Sequence, residues 1–194
     1  LCWPRIEPAS LAMAGGDVPE SVVFGVMMAE SALDPSVSSA VGARGAKGPD
    51  RPEAIDYEGV RNLVDAAVAA RSRQFVLISS RSVTQPDNPL NKLFGNVLIW
   101  KLKGEDALRA SGVPYTVIRP GGLTNGPGGN MDLVFEQGDA VRGQTTITRA
   151  DLAVIAVQAL KYPEARNRTF ETSAQPGAPV TDWRAKFAAL RPDP

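Results

Sequence analysis

Apolar positions along this chain recur in two rhythms. Between residues 52 and 70, Val60, Leu63, Val64 and Ala67 fall at i, i+3, i+4 and i+7 amid abundant alanine. That spacing predicts an amphipathic helix. Phe75-Val-Leu-Ile78 is instead an unbroken apolar run between polar residues, the pattern of a strand covered on both faces. A helix is predicted from about Asn91 to Ala110, stopping at Ser111-Gly112. Tyr115–Arg119 is the next strand. Thr148-Arg-Ala-Asp151 is a capping box, and behind it Leu152, Ile155, Ala156, Ala159 and Leu160 share one helical face. Thr169–Thr172 reads as a last strand. Thr181–Leu190 reads as a short helix with Trp183, Phe187 and Leu190 inward. Strands alternating with helices predict an α/β fold with a mostly parallel sheet.

The rest is less regular. Residues 1–16 carry no period. Asp17, Pro19 and Glu20 form a helix start, and Val22, Val23, Val26, Met27 and Leu33 come after it at helical spacing. A strand over Val22–Met28 is the alternative, weakened by Gly25 and the lack of alternation. Val37–Gly42 reads as a short buried strand and Ala43–Arg51 as a loop. Val83–Leu90, with Pro86 and Pro89, is a second loop. Residues 123–143, rich in Gly, Asn and Asp, offer no firm element, and a connection this long suits a substrate-side loop. Pro176–Pro179 is a linker.

Composition narrows the chemistry. The 194 residues suit one domain, or a domain with an appendage. Net charge is zero, so no broad basic field is available for nucleic acid or anionic lipid. The chain has no histidine, which excludes Ser-His-Asp and Cys-His catalysis and His-ligated metal sites; no metal ligands are expected. Cys2 is the only cysteine, in keeping with a reducing compartment. The longest run of apolar or glycine residues, Val22 to Ala29, is far short of the ~20 residues of a membrane helix. No secretory signal is visible, so a soluble protein of the cytoplasm or plastid stroma is expected. Leu1 stands where Met is usual, which suggests a fragment or a processed product.

Two strands carry the unusual residues at their ends: Ser79 and Ser80 after the first, Pro120, Gly121 and Gly122 after the second. Parallel strands joined through helices end on one sheet edge, and ligands bind in the crevice there. The run Tyr57-Glu-Gly-Val-Arg-Asn-Leu-Val-Asp-Ala-Ala67, then Phe75–Ser80, Lys101 to Glu105, and Arg109-Ala-Ser-Gly-Val-Pro-Tyr-Thr-Val-Ile-Arg-Pro-Gly-Gly-Leu123 together resemble the atypical short-chain dehydrogenase/reductases, the NAD(P)H-binding, NmrA-like proteins. Thr148-Arg-Ala-Asp-Leu152 and Asn167–Thr172 match that group's later part. The resemblance spans about residues 37–190.

It implies a Rossmann-like sheet, an oxidoreductase-type activity on an unnamed small molecule, and NADP or NAD as cofactor, with NADP favoured by the group. It implies that Ser39, Ala40 and Gly42 flank the adenosine half. Ser79 and Ser80 then line the nicotinamide pocket, and Pro120, Gly121, Gly122 and Leu123 pass beneath the nicotinamide. Lys101 matches the lysine of the Tyr-x-x-x-Lys pair and would hold the ribose. Ser82 is the hydrogen-bonding residue at or beside the catalytic-serine position.

Plainer readings stay open beside these. Lys101 could be a solvated helix lysine, the serines could cap the segment after their strand, and the glycines could form a tight turn. Arg119 is read as a buried ion-pair partner as readily as a ligand, and Asp151 as a cap in preference to a catalytic acid. Tyr57 and Tyr115 are read as packing residues, and Trp100 as a partly exposed mark of a partner surface.

Two departures from the family pattern stand out. No Gly-x-x-Gly-x-x-Gly turn comes after an apolar strand, and Val97 occupies the catalytic tyrosine's place. The expectation is therefore a truncated Rossmann-like sheet of about four strands. Residues 1–36 would be a partly helical segment outside the family and 37–194 the Rossmann-like part. The strand at 37–41 would form a bare edge open to self-association or a protein partner. A dinucleotide-sensing scaffold without catalysis, or a product unable to bind cofactor, is the alternative function.

Overall fold

The computed structural model describes residues 27–29, 36–40, 42–43, 45–139 and 145–194. Eight strands and five α-helices are described: β1 (Met27–Ala29), β2 (Ser36–Ser39), α1 (Val60–Ala69), β3 (Gln74–Ile78), α2 (Pro89–Leu93), α3 (Val97–Ala110), β4 (Tyr115–Pro120), β5 (Gly122–Thr124), β6 (Asp132–Glu136), β7 (Thr146–Thr148), α4 (Arg149–Lys161), β8 (Arg168–Gln175) and α5 (Trp183–Ala188). Six strands form one sheet in the order β1-β2-β3-β4-β8-β6, and β5 pairs with β7 apart from it. The four central strands β2, β3, β4 and β8 are parallel, and β1 and β6 run antiparallel at the edges.

The hydrophobic pattern explains the two cores. Alternate residues of a strand face opposite sides. On one side Phe75, Leu77, Tyr115 and Val117 pack with Ile55, Val60, Val64, Ala67 and Leu108 from the α1 and α3 layer. On the other, Val76, Ile118 and Phe170 pack with Leu152, Ile155 and Ala156 of α4 and Phe187 of α5. Thr148 starts α4 as its spacing predicts: its hydroxyl accepts the Asp151 N–H at 3.0 Å.

Four expectations are corrected. Met27–Ala29, placed within a helix by the spacing, is a strand; Asp17, Pro19, Glu20 and the remaining positions of that stretch lie outside the described residues, as do residues 1–16, 41 and 140–144. The bare edge at β2 is taken by β1, with Val37 opposite Met28, so the sheet has six strands among the described residues and not about four. The helix expected from Asn91 onward is two helices. Gly95 and Asn96 adopt φ +59° and +62°, left-handed values that no α-helix continues through, and the Asn91 carboxamide accepts the Leu98 N–H at 2.9 Å across the break. Residues 123–143 contain most of β5 and all of β6.

A stretch of π-helix, Glu53–Gly59, runs directly into α1. Such wide turns often occur at functional positions. Here it brings Asp56 to the interior, with α3 crossing close above. A methyl group on Gly104 of α3 would come within 2.5 Å of the Asp56 carbonyl oxygen, so only glycine fits that crossing.

Candidate functional site

The parallel register sends the ends of β2, β3, β4 and β8 to the same edge. Ser39 pairs with Leu77 in the register, and Ser79 lies two positions beyond Leu77, so both serines share the α1–α3 side of the sheet. Both hydroxyls are buried and neither has a hydrogen-bond partner among the described residues. Between these strands and the helices is a narrow recess lined by Asp56, Val60, Leu77, Ile78, Ser79 and Lys101.

Lys101 is neither a free solvated lysine nor aimed solely at a ligand. Its ammonium lies 2.6 Å from the Asp56 carboxylate, whose side chain is fully buried. Asp56 also accepts the Ala43 N–H at 3.2 Å. The Cβ position of Gly42 is 3.8 Å from the Lys101 Nζ and 3.9 Å from an Asp56 oxygen. Three of the expected site residues, Gly42, Ser79 and Lys101, thus meet around one buried carboxylate that the sequence reading had not singled out.

The other expected residues are spread along the same strand ends. Ala40 is exposed just past β2. The Ser80 hydroxyl donates to the Arg81 carbonyl at 3.1 Å. Ser82 has φ +64° and its N–H donates to the Asp139 carboxylate. Pro120 ends β4 beside β3, where its carbonyl accepts the Arg81 N–H at 3.1 Å. A methyl on Gly121 would overlap the Thr145 carbonyl oxygen at 1.8 Å, so the close backbone approach at Gly121 is to the chain itself. Gly122 and Leu123 lie on exposed β5, opposite Thr146 and Ile147.

Beyond the recess, the same side of the sheet carries a layer of charge. Glu105 of α3 is fully buried and accepts from Arg119 Nε at 3.0 Å, Arg119 Nη2 at 2.7 Å and Arg109 Nη2 at 2.8 Å. Arg119 also donates to Glu171 at 3.1 Å. Burial pulls the Arg119 and Arg109 guanidiniums down, but the facing carboxylates outweigh it and both end above their ordinary value. Glu171 goes the other way: burial raises its carboxyl, with Arg119 opposing only in part. Burial, then the 2.9 Å bond to Asp193, pushes the Tyr115 hydroxyl up to about 12. Arg119 is therefore a buried ion-pair residue. Tyr57 stacks on Trp100 with ring centroids 5.9 Å apart, which half-buries both rings.

The sequence model of the NAD(P)H-binding family matches residues 21–163. This chain belongs to that family. The match begins inside the segment that the sequence reading set apart at 1–36. Family relatives include an uncharacterized chloroplastic protein of Arabidopsis thaliana, 40% identical over 145 residues, covering 72% of this chain and 45% of that one. Sanguinarine reductase of Eschscholzia californica is 39% identical over 145 residues, covering 72% and 53%. An uncharacterized sugar epimerase of Bacillus subtilis is 30% identical over 169 residues, covering 85% and 76%. The chain spans about half the length of the first two. A NAD-dependent epimerase/dehydratase from Bacillus halodurans, itself assigned as putative, shares the fold with a TM-score of 0.68 at 24% identity, covering 80% of this chain and 69% of that one. The likeness to that solved structure is one of fold.

Whether the residues suit a dinucleotide can be judged on the site itself. The buried Ser79 hydroxyl, partnerless among the described residues, and the Lys101–Asp56 pair beside it suit the ribose and nicotinamide end, which would sit at the mouth of the recess, since its interior is far narrower than a ligand pocket. The described residues supply no glycine-rich turn for the pyrophosphate.

Proposed function

We propose that this chain binds NAD(P)H along the ends of β2, β3 and β4 and acts as an oxidoreductase-type protein on a small organic substrate. The observation that carries this reading is the pair of buried hydroxyls of Ser39 and Ser79 on neighbouring strands, unpartnered among the described residues, with Ser79 lining the recess beside Lys101 and Asp56. Each unpaired buried hydroxyl costs free energy that a bound polar group, or an ordered water, recovers.

Ser39, Ala40 and Gly42 then flank the adenosine half, and Ser79, Ser80 and Pro120–Leu123 border the nicotinamide half. Lys101 holds a ribose hydroxyl while Asp56 fixes its ammonium. Ser82 donates a hydrogen bond to the nicotinamide carboxamide, beside the substrate oxygen. Bound reduced cofactor supplies a hydride; the accompanying proton comes from water or a polar rim residue, because Val97 has none to give. NADP is preferred over NAD in this reading, on the family resemblance. A reducing compartment, cytoplasm or plastid stroma, accords with the single Cys2 and with the chloroplastic relatives.

Titration of the protein with NADPH and with NADH, monitored by tryptophan fluorescence, tests this directly. Saturable quenching is expected, tighter with NADPH. No binding by either at millimolar concentration ends the proposal for this chain.

Val97 and the engagement of Lys101 with Asp56 favour a second reading, a dinucleotide-sensing scaffold that acts through a protein partner. Turnover of NADPH with any of a panel of quinones and carbonyl compounds would exclude it. Cofactor binding without turnover is its expected signature.

A further inference from the structure

Asp139 lies just after the edge strand β6, yet its side chain is committed to the segment after β3. It is buried, with φ +54°. Its carboxylate accepts the N–H of Ser82, the N–H of Thr84 at 2.9 Å and the Thr84 hydroxyl at 2.6 Å. Its carbonyl accepts from Gln85 Nε2 at 3.3 Å. A second tie runs in parallel, Arg81 to Glu136 of β6 at 3.3 Å.

Ser82 at the far end of this chain of contacts has φ +64°, a conformation that a serine adopts only where surrounding bonds impose it. Such over-determined strain concentrates at ligand-handling positions. A plain connection between β3 and α2 has no need of it. Three donors converging on one carboxylate fix the turn far more rigidly than closure of the loop requires.

We infer that Asp139 is a positioning residue, whose carboxylate sets the Ser82–Thr84 turn, and so the Ser82 hydroxyl, over the β3 and β4 ends where the cofactor and substrate meet. This rests on the proposed NAD(P)H site. Asp139 touches neither ligand; it acts through the turn.

The test is a double-substitution cycle in NADPH affinity, with thermal stability measured alongside. Asp139→Asn keeps the volume, removes the charge and turns one acceptor into a donor facing an N–H. It should weaken NADPH binding about tenfold, the scale of a lost charge-assisted bond. Ser82→Ala should weaken it about threefold, and the double variant no more than Asp139→Asn alone. Simple multiplication of the two effects, or Asp139→Asn binding within twofold of the parent, overturns the inference. Thr84→Val, at an exposed position, removes only the 2.6 Å bond. It should weaken binding in the same direction, so the cycle stands even if Asp139→Asn fails to fold; unchanged affinity in Thr84→Val overturns the inference in that case. If the parent binds no NADPH at all, it is the underlying site that fails, a result distinct from a parent that binds and variants that bind equally well.

Discussion

Replacing Glu105 by glutamine tests the buried charge layer at its centre. The carboxylate is fully buried and holds two guanidiniums through contacts of 3.0, 2.7 and 2.8 Å. Glutamine keeps the shape but has one acceptor, and its amide group points donors at donors. Arg119 is left with Glu171 alone at 3.1 Å, its own side chain only 7% exposed. Breaking a buried pair in this way costs about 3–5 kcal/mol. The surviving Glu171 contact places the expectation at the lower end, about 3 kcal/mol, or about a 6–12 °C fall in melting temperature for a chain of this length.

Glu171→Gln provides the contrast. The Glu171 carboxyl is raised by burial, so its contribution is fully present below the ordinary unfolded value and is lost as pH rises through the folded one. Arg119 keeps both contacts to Glu105 in this variant, so removing the charge should cost less than Glu105→Gln does. Urea unfolding of both variants at pH 7 gives the comparison. Equal losses, or a loss below about 1 kcal/mol for Glu105→Gln, would refute the view that Glu105 is the hub.

Single contacts elsewhere in the fold can be tested in the same way. Gly104→Ala drives a methyl into the Asp56 carbonyl at 2.5 Å and should cost about 1–3 kcal/mol by overpacking, visible in a thermal melt; unchanged stability would mean that α3 and the π-helix separate freely. Thr148→Ala removes the α4 cap and should cost about 1 kcal/mol, with the same loss in Thr148→Val and little in Thr148→Ser. Tyr115, pushed to about 12 against an ordinary 10.0, should stay protonated as the pH passes its unfolded value. Its stabilisation is complete below about pH 10 and lost as the pH rises towards 12; absorbance at 295 nm should show Tyr115 ionising after the other tyrosines, and Asp193→Asn should bring it down.

The rhythm of apolar residues was enough for the framework. Val60 to Ala67, Phe75–Ile78, Tyr115–Arg119 and Leu152–Leu160 each bury a face by local spacing, so helix, strand and their alternation can be read directly. So can the caps at Thr148 and Gly112, because a cap acts within a few residues of itself. The likeness to NAD(P)H-binding proteins was likewise legible, carried by runs such as Arg109–Leu123 that the family match at 21–163 includes.

What depended on distant contacts was not legible. Met27–Ala29 has no strand rhythm, and β2 gives it a partner. Gly95 and Asn96 break an otherwise helical stretch through left-handed backbone, where a methyl on Gly95 would meet Ala46 at 2.7 Å. Asp56 sits in a helix as an ordinary-looking acid until Lys101, from another helix, comes to 2.6 Å. The bonded pairs Glu105–Arg119, Arg119–Glu171 and Asp139–Ser82 lie 14, 52 and 57 residues apart. Local spacing can fix which face of an element seeks burial, but not which charges meet across it, because that is decided only when strands and helices from distant parts of the chain pack together.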